Sequence, residues 1–482
     1  MSTIPAHILN DTMDNMHREI TRIFDAQYET ALRWRSSTTK DRSMRIRRLH
    51  DAVLDYRSRI QEAGFKDFRK PPEEVDLTEI MPVISEARDA MRNLGKWMKP
   101  KHVMPTRMML GTRSWIKYEP KGRCLIISPW NYPVNLTFGP LVSCLAAGNT
   151  AIIKPSELTP HLSALMAEII HNVFLESEVS LFQGEAVLST FLLEQPFDHI
   201  FFTGSPAVGK VVMTAAAKHL TSVTLELGGK SPTIIDVGAD VRLAAQTTIW
   251  GKFTNNGQTC IAPDHVYIHT SIKDEFTLEC IKALQTAYGE TAEDQLNSPM
   301  LARVVNSRHT QRVQGLLEDA KSHGARVIYG GEVRHKDCFI QPTLLDSVPL
   351  DAKIQQEEIF GPLLPLVEFN DLDGVIDQIN AQPKPLALYI WGNKASRINQ
   401  VLNNTSAGGS CINNCVVQYL HGHLPFGGVN NSGMGNAHGH FGFKTFSHER
   451  AVVRTYIPVA RIFFPPYGKM TRRILNLMLR IL

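Results

Sequence analysis

Between residues 124 and 227, short apolar runs alternate with longer helix-patterned stretches, and this rhythm restricts the fold more than any other feature of the chain. Residues 124–127, 150–153, 179–183, 199–202 and 223–227 read as strands, and 138–147, 161–174, 186–194 and 207–219 as the helices between them. Strands alternating with helices of this length predict a parallel sheet joined by crossovers, an α/β fold. Ligands of such sheets bind past the carboxyl ends of the strands. The rhythm restarts after Cys260, with a strand at 265–269, helices at 273–288 and 301–323, a strand at 325–329 and short strands to 367. A second α/β domain is expected, and 482 residues leave room for it. Helices at 374–380 and 395–403 follow, then segments rich in Gly and Asn.

The first hundred residues are predicted helical. Over 43–60, Ile46, Leu49, Val53, Tyr56 and Ile60 recur three and four apart, and Gly64 ends the run. Over 83–98, Ile84, Ala87, Met91, Leu94 and Met98 share a face, while 106–120 reads as extended. Residues 124–153 carry no charge, but prolines interrupt them, so they read as a buried strand, a loop and a buried helix rather than a membrane span. The formal charge of +4 argues against nucleic acid as a partner. Lys40, Arg42, Arg45, Arg47 and Arg48 cluster on a helical pattern and read as a solvated face. Seven cysteines are no disulfide scaffold, and the odd count fits a reducing, cytoplasmic setting. Cys411, Cys415, His421 and His423 follow no zinc spacing, so no metal is expected. The N-terminus lacks the apolar core of a signal peptide.

Cys260 follows a helix-patterned run and a small polar turn, Thr254-Asn255-Asn256-Gly257-Gln258-Thr259. Such a thiol is either a small buried hydrophobe or a nucleophile facing a cleft. Glu226 ends an apolar strand before Gly228-Gly229, where a carboxylate is either structurally paired or a general base with a raised pKa. Asn131, in Pro129-Trp130-Asn131-Tyr132-Pro133, either caps a turn or donates its amide to a developing oxyanion. Gly204, Ser205 and Gly209 sit between a strand and a helix start, a geometry that brings backbone to a diphosphate, although the spacing is neither G-x-G-x-x-G nor a P-loop. Lys154 and Glu157, just past a strand, suit ribose hydroxyls or form an exposed charge pair.

Taken together these residues resemble the aldehyde dehydrogenase superfamily. The marks occur in order: Pro129-Trp130-Asn131-Tyr132-Pro133, Lys154-Pro155-Ser156-Glu157, Phe202-Thr203-Gly204-Ser205 with Gly209, Leu225-Glu226-Leu227-Gly228-Gly229-Lys230, Gly257-Gln258-Thr259-Cys260, Glu357-Glu358-Ile359-Phe360-Gly361-Pro362 and Pro425-Phe426-Gly427-Gly428. The chain is most similar to the class 3 branch, through Lys70-Pro71-Pro72 with Glu79-Ile80, Trp250, Asn431-Ser432-Gly433-Met434-Gly435, His438-Gly439 and Thr445-Phe446-Ser447-His448. Asn414, Asn430 and Ala437 depart from that branch's usual residues, on the side expected to hold substrate.

The resemblance implies two Rossmann-like parallel-sheet domains: a cofactor-binding domain from 1–101 and 122–228, and a catalytic domain over 229–430. It implies a bridging β segment from 102–121 and 443–458, which joins a homodimer. Cys260 would attack the aldehyde, Asn131 and the Cys260 N–H would hold the oxyanion, and Glu226 would activate water against the thioester. Lys154 and Glu157 would hold the adenosine ribose; Gly204, Ser205 and Gly209 would line the diphosphate; Glu358 and Phe360 would position the nicotinamide end. Tyr132 and Trp250 are expected in the substrate pocket. The cofactor is NAD, with NADP tolerated. Medium- to long-chain or aromatic aldehydes are the expected substrates, with a small polar aldehyde or semialdehyde as one alternative and a catalytically silent scaffold as another. The tail, 459–482, sets Lys469, Arg472, Arg473, Asn476 and Arg480 opposite Ile474, Leu475, Met478, Ile481 and Leu482. That amphipathic stretch suits either peripheral contact with a membrane surface or packing on a neighbouring subunit.

Overall fold

A computed structural model describes residues 6–481; Leu482, counted above with the tail's apolar face, lies outside them, as do residues 1–5. Two large sheets organise the chain. The first has six strands in the order Gly433–Met434, Ser222–Leu227, His199–Gly204, Arg123–Ile127, Thr150–Lys154 and Val179–Leu181. All run parallel except Gly433–Met434, which pairs antiparallel with the end of Ser222–Leu227 and sets Gly433 opposite Glu226. The second has seven strands in the order Arg326–Tyr329, Thr343–Asp346, Leu363–Phe369, His265–His269, Pro232–Ile235, Ala387–Trp391 and Gly409–Ile412, parallel but for Arg326–Tyr329. A third, antiparallel sheet joins Lys101–Val103, Thr112–Pro120 and Ser447–Thr455, with Ser447–Thr455 on its edge.

The α/β reading stands, with local corrections. The run over 43–60 is two helices, Thr39–Asp55 and Arg57–Phe68. Gly64 does not end it; a Cβ there would sit 3.1 Å from Val75, so the glycine lets two elements pack. The helix stops at Arg69, in the left-handed conformation at φ 51°. Arg42 is not on a solvated face. It is buried, and its guanidinium donates to the Ala146 and Ala147 carbonyls at 3.0 and 2.6 Å, capping the end of helix Asn135–Ala147. Residues 301–306 are not helical: Arg303 N–H donates to Phe68 O and Val304 N–H to Cys338 O, so tertiary partners take the backbone before Asn306 caps helix Ser307–Ser322. Residues 443–445 belong to helix Gly439–Thr445 rather than to a strand. Strands Pro232–Ile235, Ala387–Trp391 and Gly409–Ile412 escaped the sequence reading, because proline and glycine at their margins look like turns.

Candidate active site

The turn before Cys260 is held in an unusual backbone. Asn255, Asn256 and Gly257 are successive left-handed residues, at φ 53°, 55° and 75°. Asparagine tolerates that region, and a Cβ on Gly257 would lie 2.3 Å from the Gly361 carbonyl oxygen. Surrounding bonds fix the turn. Asn256 Nδ2 donates to Ala302 O at 2.9 Å, and Gln258 Nε2 to Asn255 O and Arg303 O. Gln258 Oε1 accepts from Val305 N–H, and Glu74 Oε1 from Asn255 N–H at 2.8 Å. Strain of this kind persists only where neighbours over-determine it.

The loop that carries Asn131 is bonded straight onto this turn. Asn131 Nδ2 donates to Gln258 O at 2.9 Å, Asn255 Nδ2 donates to Asn131 O at 2.8 Å, and the Tyr132 hydroxyl meets Thr259 Oγ1 at 2.6 Å. Thus Asn131 and Tyr132 touch the two residues that precede Cys260.

A cavity of about 140 Å³ opens beside the thiol, with Cys260, Glu226, Tyr132 and Trp250 in its wall, among apolar residues such as Leu77, Leu136 and Phe426. No Lys or Arg lines it among the described residues. Trp250 is 41% exposed, whereas Tyr132 and Glu226 are buried. Asn131 is not in the wall; it stands behind, on Gln258. Neither Glu226 oxygen has a hydrogen-bond partner, and burial raises its carboxyl well above the ordinary range. Burial, then the nearby Glu358 and Glu226 carboxylates, push the Cys260 thiol up to about 12, against the backbone N–H groups of Cys260 and Ile261.

The other expected residues gather at the carboxyl ends of the first sheet. Lys154, last in its strand, is buried and donates to Glu157 Oε2 at 2.6 Å, so the pair is anchored rather than a free surface pair. The Lys154 contact and backbone hydrogen bonding outweigh burial and lower the Glu157 carboxyl. Ser205 Oγ accepts from Val208 N–H and opens helix Pro206–Ala217. A Cβ on Gly204 would meet the Phe202 ring at 2.5 Å, and one on Gly209 would meet Leu227 at 2.9 Å, so neither position has room for a side chain. Glu358 lies against Gly228, where a Cβ would come within 2.4 Å of its carboxylate. Burial pushes its carboxyl up to about 8, and its Oε1 has no partner. Phe360, left-handed at φ 46°, packs edge-on against Trp130. A buried carboxylate oxygen without a donor, an anchored Lys–Glu pair and a glycine-lined helix start fit a dinucleotide's hydroxyls and diphosphate. Glu358 links the two halves, since Cys260 feels its charge.

The histidines do not converge. His421 and His423 lie 6.0 Å apart, His438 approaches Glu86, and His440 stacks on Phe443. Glu74, Glu79, Asn255 and Gln258 were given no role from sequence, although Lys70 and Glu79 were visible as class marks.

A family model described as "Aldehyde dehydrogenase family" matches residues 5–452. The 4,4'-diaponeurosporen-aldehyde dehydrogenase of Staphylococcus aureus (strain NCTC 8325 / PS 47) is 40% identical over 91% of this chain and 95% of its own length. Aldehyde dehydrogenase family 3 member B1 of Bos taurus is 40% identical over 92% of this chain and 93% of its own. The solved structure titled "Substrate bound state of Staphylococcus Aureus AldH" superposes with a TM-score of 0.90 at 38% identity, over 95% of this chain and 99% of that one.

Proposed function

The chain belongs to the aldehyde dehydrogenase family, among class 3 relatives, and is an NAD(P)-dependent enzyme; from that premise we propose that Cys260, Glu226 and Asn131 oxidise an apolar aldehyde, medium- to long-chain or aromatic, to its carboxylic acid. The observation that carries this reading is one apolar cavity holding both a thiol and an unpartnered carboxylate. Cys260 loses its thiol proton to solvent, and Sγ attacks the carbonyl carbon. The Asn131 amide and the Cys260 N–H stabilise the oxyanion. When bound, the dinucleotide supplies the hydride acceptor that leaves the acyl group on Cys260 as a thioester. Glu226, its proton affinity raised by burial, takes a proton from the water that attacks this thioester, releasing the acid and the thiol. Lys154, Glu157, Gly204, Ser205, Gly209, Glu358 and Phe360 hold the cofactor in this account. Glu157 beside the ribose opposes a 2′-phosphate, which favours NAD with NADP tolerated.

A cavity wall without lysine or arginine speaks against an anionic semialdehyde. An aldehyde chain-length series with each cofactor tests the substrate class: kcat/KM rises with chain length, and a succinate-type semialdehyde as the best substrate would overturn it. Cys260→Ala abolishes reduced-cofactor absorbance if the thiol is the nucleophile.

The first sheet, the second sheet and the antiparallel sheet support the division into cofactor-binding (1–101, 122–228), catalytic (229–430) and bridging (102–121, 443–458) parts. The unpaired edge of Ser447–Thr455 supports homodimer formation through that sheet. Among the described residues no helix is long and apolar enough to cross a membrane. Helix Lys469–Ile481 exposes Met470, Leu475, Leu477 and Leu479 beside Lys469, Arg472, Arg473 and Arg480, which supports peripheral contact of a cytoplasmic protein with an anionic membrane surface.

A further inference from the structure

Lys70 and Glu79 form the most deeply buried ion pair described in the molecule, at 0% and 1% side-chain exposure. Charged groups are almost never taken wholly out of water unless each finds partners, and here the partners belong to the active-site loop. Lys70 Nζ donates to Glu79 Oε1 at 2.8 Å and to the Asn131 carbonyl at 3.1 Å, and it lies 4.3 Å over the Tyr132 ring. The other Glu79 oxygen accepts from Val134 N–H at 3.1 Å and Asn135 N–H at 3.0 Å, where the next helix begins. The pair therefore grips the 131–135 turn at both ends, an acceptor at one and two donors at the other.

The chain between the two residues reaches the second turn. Helix Pro72–Val75 runs into a π-helical turn, Asp76–Ile80, whose Thr78 carbonyl accepts from Asn135 Nδ2 at 2.9 Å. From that segment Glu74 Oε1 accepts Asn255 N–H, and Asn255 Nδ2 in turn donates to Asn131 O. One eleven-residue stretch, 70–80, thus touches the loop of the amide and the turn of the thiol.

We propose that Lys70 and Glu79 are positioning residues, a buried clamp that fixes the Asn131 amide relative to Cys260 and so sets the rate of attack on the aldehyde. This rests on the reading of Asn131 as oxyanion donor given above. Neither residue lines the substrate cavity; the pair acts on the loop it holds, whose Asn131 takes the Lys70 ammonium on its carbonyl and donates its amide to Gln258 O, two residues before Cys260. Glutamine cannot replace Glu79, because one of its two faces would present an NH₂ either to the ammonium or to the two backbone donors.

The test measures the single-turnover burst of reduced cofactor with octanal and NAD in Glu79→Gln, in the double variant Lys70→Met/Glu79→Leu, in Asn131→Ala, and in Glu79→Gln combined with Asn131→Ala. The double variant removes both charges, which a fold survives better than loss of one. Misplacement of the amide by a fraction of an ångström slows the burst about tenfold or more in Glu79→Gln and in the double variant, with cofactor KM nearly unchanged. The loss disappears when Asn131 is already alanine. A Glu79→Gln loss of equal size in the Asn131→Ala background overturns the clamp, as does a burst of wild-type rate in both clamp variants while Asn131→Ala is slow. A wild-type burst in Asn131→Ala itself marks failure of the oxyanion reading instead.

Discussion

At the scale of single residues, the site is defined by groups kept in the wrong protonation state for water. A thiol at about 12 is almost wholly protonated at neutral pH, so the free enzyme's Cys260 should alkylate slowly. The rate of iodoacetamide inactivation should climb roughly tenfold per pH unit and show no plateau by about pH 10. Glu358→Gln, which removes one of the carboxylates raising that thiol, should speed alkylation at pH 9. The same substitution bears on stability. The Glu358 carboxyl is held up at about 8 against an ordinary 4.5, so the folded chain keeps a proton that the unfolded chain gives up. That difference costs stability progressively from pH 4.5 to 8 and no further. Urea melts should find Glu358→Gln more stable than the parent at pH 8, by something on the order of 2 kcal/mol, and little changed at pH 4.5. Glu226→Gln should retain the burst of reduced cofactor and lose steady-state turnover by roughly a hundredfold or more, since only the hydrolytic half needs the base. Full turnover in that variant would remove the role.

At the scale of elements, what was legible from sequence depended on whether a segment carries its own pattern. Strands such as His265–His269 and helices such as Lys273–Tyr288 match their apolar periodicity to the residue, because each buries one run against its neighbours. Pro232–Ile235 and Gly409–Ile412 were hidden, since each is short and opens on a proline or a glycine that reads as a turn. The same division runs through the site. Cys260, Glu226, Tyr132 and Trp250 were readable as motifs and do share a cavity. The Lys70–Glu79 pair was readable only as a mark of resemblance, because its meaning lies in contacts 55 and 61 residues away. Gly433 shows how tight such contacts are. At φ 139° its missing Cβ would lie 2.1 Å from the Leu225 carbonyl oxygen. Gly433→Ala should break the pairing with the Glu226 strand, lowering stability by roughly 1–3 kcal/mol and the melting temperature with it, and turnover should fall with the misplaced carboxylate.

At the scale of the whole molecule, the helical tail and the edge strand Ser447–Thr455 both present exposed residues to solvent. Deleting residues 469–482 should reduce sedimentation with anionic phosphatidylserine vesicles while leaving activity in solution within about twofold, and 0.5 M salt should weaken what binding the parent shows. Unchanged vesicle partition would defeat the membrane reading. Placing proline at Val452, in the middle of the edge strand, should shift the sedimentation velocity of a dimer toward the monomer. The first sheet closes with Gly433–Met434, which leaves the ribosome about two hundred residues after the strand it covers. At roughly 5–20 residues per second that interval is about 10–40 s, during which the nascent polypeptide presents an open β edge carrying Glu226. A stalled or prematurely terminated translation product is therefore a template for misassociation, and chaperone capture of such products should fall away once residue 434 has emerged from the ribosome.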